Sequence, residues 1–423
     1  MTRVRWLLIF WLFVMSAVAF LDRVNISIAS VDIRQVYHLS DVHLGWIFSA
    51  FLVGYAAFQT PAGWLADRLG PRRVLAAAVV WWGIFTALTA AVPPGVSSAL
   101  ALFILIRFLF GAGEAIMYPA ANQFTSRWIP TEERGLANGW IFAGVGIGSG
   151  VTPPLIIWIM VHHGWRASFW ICSVIGVLAG AVWFAISRDK PEEHPSVSAG
   201  ELEKIRGGLT IASQSVADPA REIPWSKILS SGNVWAVTLS YFCYGYVAWI
   251  YFSWFYTYLA RVRGLNLKSS AVYTSLPFLA MAAGCAIGGF VSDLITQWKG
   301  KRLGRCGVAV FSMALAAAFL VLGARAESAR LASIVLAGGA GALYLAQSSF
   351  WAVTADIAGN SSGAVSGWMN MGAQIGGAVT ASLTPWIADH YGWTSSFFAA
   401  AFLCALGSVA WLFVDPRRRI SAA

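Results

Sequence analysis

Four ionisable side chains lie inside long apolar stretches: Asp22, Arg23, Arg107 and Glu114. A guanidinium binds a carboxylate through two parallel hydrogen bonds, and a carboxyl group in a low-dielectric site tends to hold its proton. Each such group costs about 2.5–3.5 kcal/mol at the centre of a membrane helix. These residue types therefore predict anion binding and proton exchange. The alternative is a purely structural cluster, in which two acids neutralise two bases.

The elements that must carry these charges are membrane-spanning helices. The chain has 423 residues, of which 58% are hydrophobic and 11% charged, whereas a soluble protein carries about 25% charged residues. This composition excludes a soluble enzyme, a nucleic-acid-binding protein and a disordered scaffold. A span needs about 20 mostly apolar residues. Twelve stretches qualify, at residues 6–30, 44–66, 74–93, 98–122, 136–161, 167–187, 232–260, 271–292, 306–324, 331–353, 363–387 and 395–414.

Depth along these spans suggests a role for each charge. Asp22 and Arg23 in span one and Arg107 in span four fall at a similar depth, on the outer side of the span midpoints. Glu114 is on the same helix face as Arg107, about 10 Å deeper. We interpret Arg23 as the anchor for an anionic substrate. Asp22 and Glu114 are the candidate proton-coupling acids, with Arg107 as their partner.

Basic residues set the orientation of the chain. With the N-terminus in the cytoplasm, 20 of the 29 lysines and arginines lie on cytoplasmic segments and 7 on outer loops, including Arg34 and Arg261. This bias predicts that both termini are cytoplasmic. The same bias accounts for the net charge of +10, so we expect no nucleic-acid partner. A competing interpretation takes residues 3–19 as a cleaved signal peptide, which would leave eleven spans.

The two halves of the chain resemble each other at an offset of 228 residues. Gly164-Trp165 recurs as Gly392-Trp393, Gly144 as Gly372 and Gly148 as Gly376. The sequence therefore predicts an all-α membrane protein with twelve transmembrane helices. They form two six-helix bundles related by a pseudo-twofold axis along the membrane normal, with a substrate site between them. The predicted domains are an N-terminal bundle at 1–187, a cytoplasmic linker at 188–230 and a C-terminal bundle at 231–423.

The segment after span two carries a recognisable motif. It reads Gly63-Trp64-Leu65-Ala66-Asp67-Arg68-Leu69-Gly70-Pro71-Arg72-Arg73 and resembles the signature of the major facilitator superfamily (MFS). An acid at a helix end beside a basic cluster suits a cytoplasmic gate that pairs with neighbouring helix termini. We assign Gly63, Asp67, Arg68, Gly70, Arg72 and Arg73 to this gate.

Three further stretches are similar to the anion:cation symporter family of that superfamily. They are Leu21–Asn25, Arg107–Asn122, and the segment around Trp128-Ile129-Pro130 and Glu133–Ala137. The family includes bacterial galactonate, glucarate and hexuronate permeases and lysosomal and vesicular organic-anion transporters. The resemblance implies that the acids matching Asp22 and Glu114 serve coupling and that the arginine matching Arg23 binds substrate. Gln123 and Tyr256 depart from the family pattern, which usually has Arg and Pro there.

Polar and aromatic residues on other spans complete the predicted substrate site. They are Tyr55, Ser348, Trp351, Asn370 and Gln374, of which Tyr55 and Asn370 match binding positions of the family. Hydroxyl-rich substrates need such donors and acceptors. The alternative for each of them is a hydrogen bond between helices.

These observations predict a secondary active transporter, a proton-coupled symporter of a small organic anion such as a sugar acid or another carboxylate. Sodium stays open as the coupling ion. The alternative is an exporter or exchanger of an amphipathic or aromatic compound. No nucleophile–base pair, metal cluster or cofactor motif is found, so we expect no enzymatic activity and no cofactor. The expected form is a functional monomer in a bacterial inner membrane.

Overall fold

The computed structural model describes residues 3–130, 134–214, 224–358 and 362–420, and these residues form helices and connecting turns without a strand. The α-helices are α1 (Val4–Tyr37), α2 (Asp41–Leu69), α3 (Pro71–Ala91), α4 (Ala99–Glu114), α5 (Met117–Trp128), α6 (Arg134–His163), α7 (Trp165–Ile186), α8 (Ala199–Gln214), α9 (Trp225–Ser230), α10 (Gly232–Ser253), α11 (Phe255–Thr257), α12 (Leu267–Lys299), α13 (Val308–Arg325), α14 (Ala329–Leu345), α15 (Gln347–Ala358), α16 (Ser362–Tyr391) and α17 (Trp393–Ala410). Short 3-10 or π-helical turns occupy Pro191–Glu193, Tyr258–Val262, Arg302–Gly307 and Trp411–Phe413.

In the described residues, the long helices, alone or joined end to end, make twelve rods, so the predicted number of transmembrane helices is confirmed. Ten stretches of the described chain are long and apolar enough to cross a membrane, judged by length and composition. The other two rods, 232–262 and 362–391, are rich in aromatic or in small and hydroxyl residues, which lowers their mean hydropathy. Several helices are longer than the predicted spans, because backbone hydrogen bonding continues beyond the apolar run. For example, α1 continues to Tyr37.

Three rods are interrupted near their middle or at one end. The fourth rod breaks after Glu114, where the Ala115 N–H bonds to the Gly111 carbonyl oxygen and the Ile116 N–H to that of Gly113. The tenth rod breaks between α14 and α15. The seventh breaks at Trp254, whose indole Nε1 donates to the Ala381 carbonyl oxygen at 3.0 Å. Glycine in a helix interior weakens it by roughly 0.5–1 kcal/mol relative to alanine, which helps to place the break after Glu114.

The chain divides into two compact units. The first contains residues 1–26, 53–152 and 158–220, and the second contains residues 27–52, 153–157 and 221–423. The end of α1 and the start of α2 therefore group with α10–α17. The linker helix α8 groups with the first unit.

Repeated glycines bring helices into close contact within each unit. In the first unit, a side chain at Gly148 would overlap the backbone of Ala17 on α1. In the second unit, a side chain at Gly376 would overlap the backbone of Phe242 on α10. These two glycines are 228 residues apart, so the sequence repeat corresponds to a repeated helix contact. The glycine-rich run 144–150 thus serves helix packing.

The linker is partly helical and is anchored at its first helix. Glu201 on α8 is completely buried. Its carboxylate accepts the Val4 and Arg5 backbone N–H groups, both at 3.2 Å, and pairs with Nη1 of Arg5 at 3.1 Å. Because the first N–H groups of a helix lack intrahelical partners, Glu201 both caps α1 and neutralises its basic start. Residues 215–223 lie outside the described part of the linker.

Candidate functional site

The centre of the first unit holds a buried ion pair between two helices. Arg23 on α1 donates through Nε to Oε2 of Glu114 at the end of α4, over 2.8 Å. The side chain of Arg23 is 4% exposed and that of Glu114 is not exposed at all. Oε1 of Glu114 has no hydrogen-bond partner among the described residues. The pair therefore combines a buried guanidinium with a carboxylate that keeps one oxygen free of protein donors.

Aromatic rings surround the Arg23 guanidinium. Its carbon lies 4.4 Å from the ring centre of Phe20 and 4.9 Å from that of Tyr55, distances typical of cation–π contact. Tyr55 is also a hydrogen-bond partner of Arg23. Tyr118, one turn beyond Glu114 on α5, lies within electrostatic range of the same guanidinium and shares a 3.0 Å hydrogen bond with Ser16. Tyr118 was not among the predicted site residues, although it stands four positions after Glu114.

Asp22 points to a different set of neighbours from Arg23, because adjacent helical residues are about 100° apart around the axis. Its carboxylate is buried, and neither oxygen forms a hydrogen bond within the described part of the chain. Arg107 and Glu114 lie within electrostatic range of it. The nearby hydroxyl of Thr86 donates instead to the Trp82 carbonyl oxygen. Asp22 is thus a buried acid with charged neighbours and no direct partner in that part.

Arg107 lies on the same helix as Glu114, and its guanidinium carbon is 4.3 Å from the Phe110 ring centre. It is buried and within electrostatic range of both Asp22 and Glu114. The structure therefore brings all four predicted charges into one buried region of the first unit. The direct contact of Glu114 is with Arg23, whose long side chain reaches the deeper carboxylate.

The predicted site residues of the C-terminal half lie in the second unit. Ser348 and Trp351 are on α15, directly after the break in the tenth rod, and Asn370 and Gln374 are one turn apart on α16. Ser348 Oγ and Gln374 Oε1 are buried without a hydrogen-bond partner among the described residues. Asn370 is half-buried and Trp351 is exposed. Two of these positions thus offer unsatisfied polar atoms, as a ligand site requires.

The aromatic side chains of the seventh rod are used for packing. Tyr246, Tyr251, Trp254 and Tyr256 are all fully buried. The Tyr251 hydroxyl donates to the Leu336 carbonyl oxygen at 2.8 Å. These four side chains are therefore part of the packed interior of the second unit.

The motif between α2 and α3 contacts the carboxylate of Asp189, a residue that the sequence did not single out. Gly70 has a φ of +83°, and a Cβ there would lie 2.6 Å from Oδ1 of Asp189. The same oxygen accepts the Arg72 N–H at 2.9 Å. The Arg72 guanidinium donates to the Phe184 carbonyl oxygen. Arg68 and Arg73 are exposed. The side chains of Trp64 and Asp67 lie outside the described part, so the predicted roles of Gly63 and Asp67 stay predictions.

The cysteines and the residues that could ligate a metal form no second centre in the described residues. All five cysteines are free thiols, and no cluster of metal-ligand residues occurs there. Near the C-terminus, hydrogen bonds from Arg417 lower the pKa of Asp415 to about 2. This acid is ionised at any physiological pH and takes no part in proton exchange.

Twelve rods, repeated glycine contacts and buried opposite charges define a membrane transport protein. A family model described as Major Facilitator Superfamily matches residues 12–381, and a second match covers 294–423. The chain belongs to the Major Facilitator Superfamily.

Several named relatives span nearly the whole chain. The probable sulfoacetate transporter SauU of Cupriavidus necator is 33% identical over 401 residues, which cover 94% of this chain and 91% of that protein. The hexuronate transporter of Bacillus subtilis is 30% identical and covers 96% of this chain, with 94% of its own length. The probable L-galactonate transporter of Escherichia coli is 28% identical, with coverages of 96% and 90%.

Solved structures agree on the fold. A bacterial homologue of the human lysosomal transporter Spinster, in an inward-facing and occupied conformation, superposes with a TM-score of 0.78 at 16% identity, covering 97% of each chain. A D-xylose–proton symporter gives a TM-score of 0.76 at 13% identity, covering 97% of this chain and 98% of its own. The protein is therefore a multi-pass membrane transporter and not an enzyme, as predicted.

Proposed function

We propose that this carrier moves a small organic anion, a sugar acid or a compact carboxylate or sulfonate, together with a proton. The observation that carries the proposal is the hydrogen bond between Arg23 and Glu114 inside an apolar bundle. The relatives named for sulfoacetate, hexuronate and galactonate support an anionic substrate.

Competition for one guanidinium provides the coupling. A substrate carboxylate that binds Arg23 takes the place of the Glu114 carboxylate, because both need the same donor fork. Glu114 then lies in an apolar site without its counter-charge, and uptake of one proton removes that cost. The substrate adds one negative charge and the proton adds one positive charge, so the net charge of the site is unchanged when both are bound. Asp22, beside Arg107 and Glu114, is the second candidate for holding a proton.

Neutral groups of the substrate need further donors and acceptors. Tyr55 beside Arg23 and the unsatisfied oxygens of Ser348 and Gln374 are suited to hydroxyl groups of a sugar acid. Asn370 and Trp351 complete the proposed set. We propose a monomeric protein of the bacterial inner membrane with both termini cytoplasmic, protons as the coupling ion and alternating access as the transport cycle.

The test is uptake into proteoliposomes containing the purified protein. Radiolabelled sulfoacetate, a hexuronate, galactonate and glucarate are each offered with no gradient, with a pH gradient and with a sodium gradient. We expect at least one of these acids to accumulate against its gradient when the outside is acidic. Accumulation driven only by sodium would replace the proton in this account, and no uptake of any acid would reject the substrate class.

A further inference from the structure

Asp41, the first residue of α2, is held by two guanidiniums from different segments. Nη1 of Arg261 lies 2.7 Å and Nε of Arg34 lies 3.2 Å from the same carboxylate oxygen, Oδ1. Nε of Arg34 also lies 3.2 Å from the Leu39 carbonyl oxygen. The Asp41 side chain is 10% exposed, whereas those of Arg34 and Arg261 are 36% and 30% exposed. The two cations are therefore partly exposed to solvent, while the carboxylate between them is mostly buried.

This ion pair closes one end of a row of polar contacts. The Ser27 hydroxyl donates to the Ser253 carbonyl oxygen at 2.7 Å, and Ser30 and Thr257 share a hydrogen bond of 3.3 Å one turn further on. From the start of α2, Ser49 donates to the Ala378 carbonyl oxygen at 2.6 Å. All these residues belong to the second unit, so segment 27–52 is fastened there by neutral hydrogen bonds and by this one charged group.

The predicted topology places Arg34, Asp41 and Arg261 on the outer side. A carrier that accepts solute from outside has to open this row of contacts. Water replaces the neutral hydrogen bonds at small net cost, because a typical one contributes only about 0.5–1.5 kcal/mol. Arg34 and Asp41 lie on the same segment, residues 27–52, and stay together, whereas Arg261 loses its anion when the row opens. Another anion that pairs with Arg261 stabilises the opened arrangement.

We infer that Arg261 is an outer binding site for a carboxylate or sulfonate, which Asp41 occupies in the closed form. This inference rests on the proposed function, because the arriving anion is the substrate. A substrate carboxylate or sulfonate displaces Asp41 from Arg261, pairs with that guanidinium and thereby favours the open outer side, while Asp41 stays beside Arg34. A neutral solute of the same size cannot release Arg261, so the site selects for anions.

Labelling of a cysteine at a buried position reports this opening. Ser30 is completely buried, and Ser30→Cys changes one atom. The purified Ser30→Cys protein in proteoliposomes is treated with a membrane-impermeant maleimide. The protein without this substitution gives the background labelling of the native cysteines. External sulfoacetate and a hexuronate are compared with mannitol at constant ionic strength, because salt screens exposed ion pairs.

We expect saturating external sulfoacetate or hexuronate to raise the labelling rate about threefold or more, within the range of exposed ion-pair energies, and mannitol to leave it unchanged. Asp41→Asn should raise the rate without any anion and abolish the further response. Asp41→Glu, which keeps the carboxylate, should restore slow labelling. The matched control is Asp389→Asn in the Ser30→Cys protein, at an exposed acid near the end of α16. It should label at the same rate as Ser30→Cys alone.

Equal labelling rates for Asp41→Asn and Asp389→Asn would overturn the inference, provided that both proteins elute as folded monodisperse peaks. It is also overturned if an acid that the protein transports leaves the labelling rate unchanged. Failure of the proposed function is a separate result: no acid is then transported, although Asp41→Asn still labels faster.

Discussion

Arg23 and Glu114 come from different helices, yet Nε of Arg23 donates to Oε2 of Glu114 at 2.8 Å in a place that solvent does not reach. Removing one member of a buried pair strands the other and costs about 3–5 kcal/mol. A pair in this setting is held only while both charges are present. When both bind, the substrate pairs with Arg23 and the proton neutralises Glu114. Binding of either one alone leaves one buried charge without a counter-charge.

Replacement of Arg23 should affect binding more than folding of the apolar framework. Arg23→Lys keeps one positive charge but loses the planar donor fork. We expect the concentration for half-maximal uptake to rise about tenfold or more, since a hydrogen bond to a charged group contributes about 1.5–3 kcal/mol. Arg330→Lys, at an exposed arginine, should change nothing. Normal affinity in Arg23→Lys would remove Arg23 as the anchor.

Asp22 should contribute to coupling without contributing to stability. Its buried carboxylate oxygens have no hydrogen-bond partner in the described residues, so Asp22→Asn removes a desolvated acid and keeps the volume. We expect the thermal unfolding temperature to stay the same or rise, while accumulation driven by a pH gradient falls. A drop in unfolding temperature with intact accumulation would show that Asp22 is a structural residue instead.

Gly70 should be more sensitive to a side chain than another glycine with a similar positive φ. Its φ is +83°, and the Asp189 carboxylate lies where a Cβ would be placed, whereas Gly95 has a φ of +80° with nothing within 4 Å. A positive φ costs an alanine about 1–2 kcal/mol at either position. We expect Gly70→Ala to lower the unfolding temperature clearly more than Gly95→Ala. Equal losses would mean that Asp189 moves aside freely.

Glu201 should hold the linker helix against the start of α1. It is fully buried and bonds two backbone N–H groups and the Arg5 side chain. Glu201→Ala leaves Arg5 and the helix end unsatisfied and should destabilise the protein by about 3–5 kcal/mol. It should also speed cleavage of the linker by a protease. Glu203→Ala, at an exposed neighbour, should do neither, and parallel behaviour of the two variants would argue against the anchor.

How much the sequence predicted depends on whether the signal is local. The twelve rods follow from apolar runs of span length, and the four buried charges stand out because ionisable residues inside such runs are costly. Which charges meet is a matter of packing, so the contact of Glu114 with Arg23 could not be read from spacing alone. Spacing along span four placed Glu114 beside Arg107 on one helix face but said nothing about the reach of Arg23.

Two acids of the linker region were missed for the same reason. Asp189 and Glu201 lie among many charged residues, where nothing local separates a solvated acid from one that caps a distant helix. Their partners, at Arg72 and Val4, are more than one hundred residues away. The break after Glu114 also went unpredicted, because glycines 111 and 113 suit close helix packing as well as interruption.

The most direct test of proton coupling compares Glu114→Gln with the wild-type protein in two assays on the same proteoliposomes. Glutamine keeps a hydrogen-bonding side chain of the same size but cannot exchange a proton. The account predicts that Glu114→Gln still exchanges internal for external substrate and no longer accumulates it when the outside is acidic. Accumulation at the wild-type level in Glu114→Gln would contradict the account.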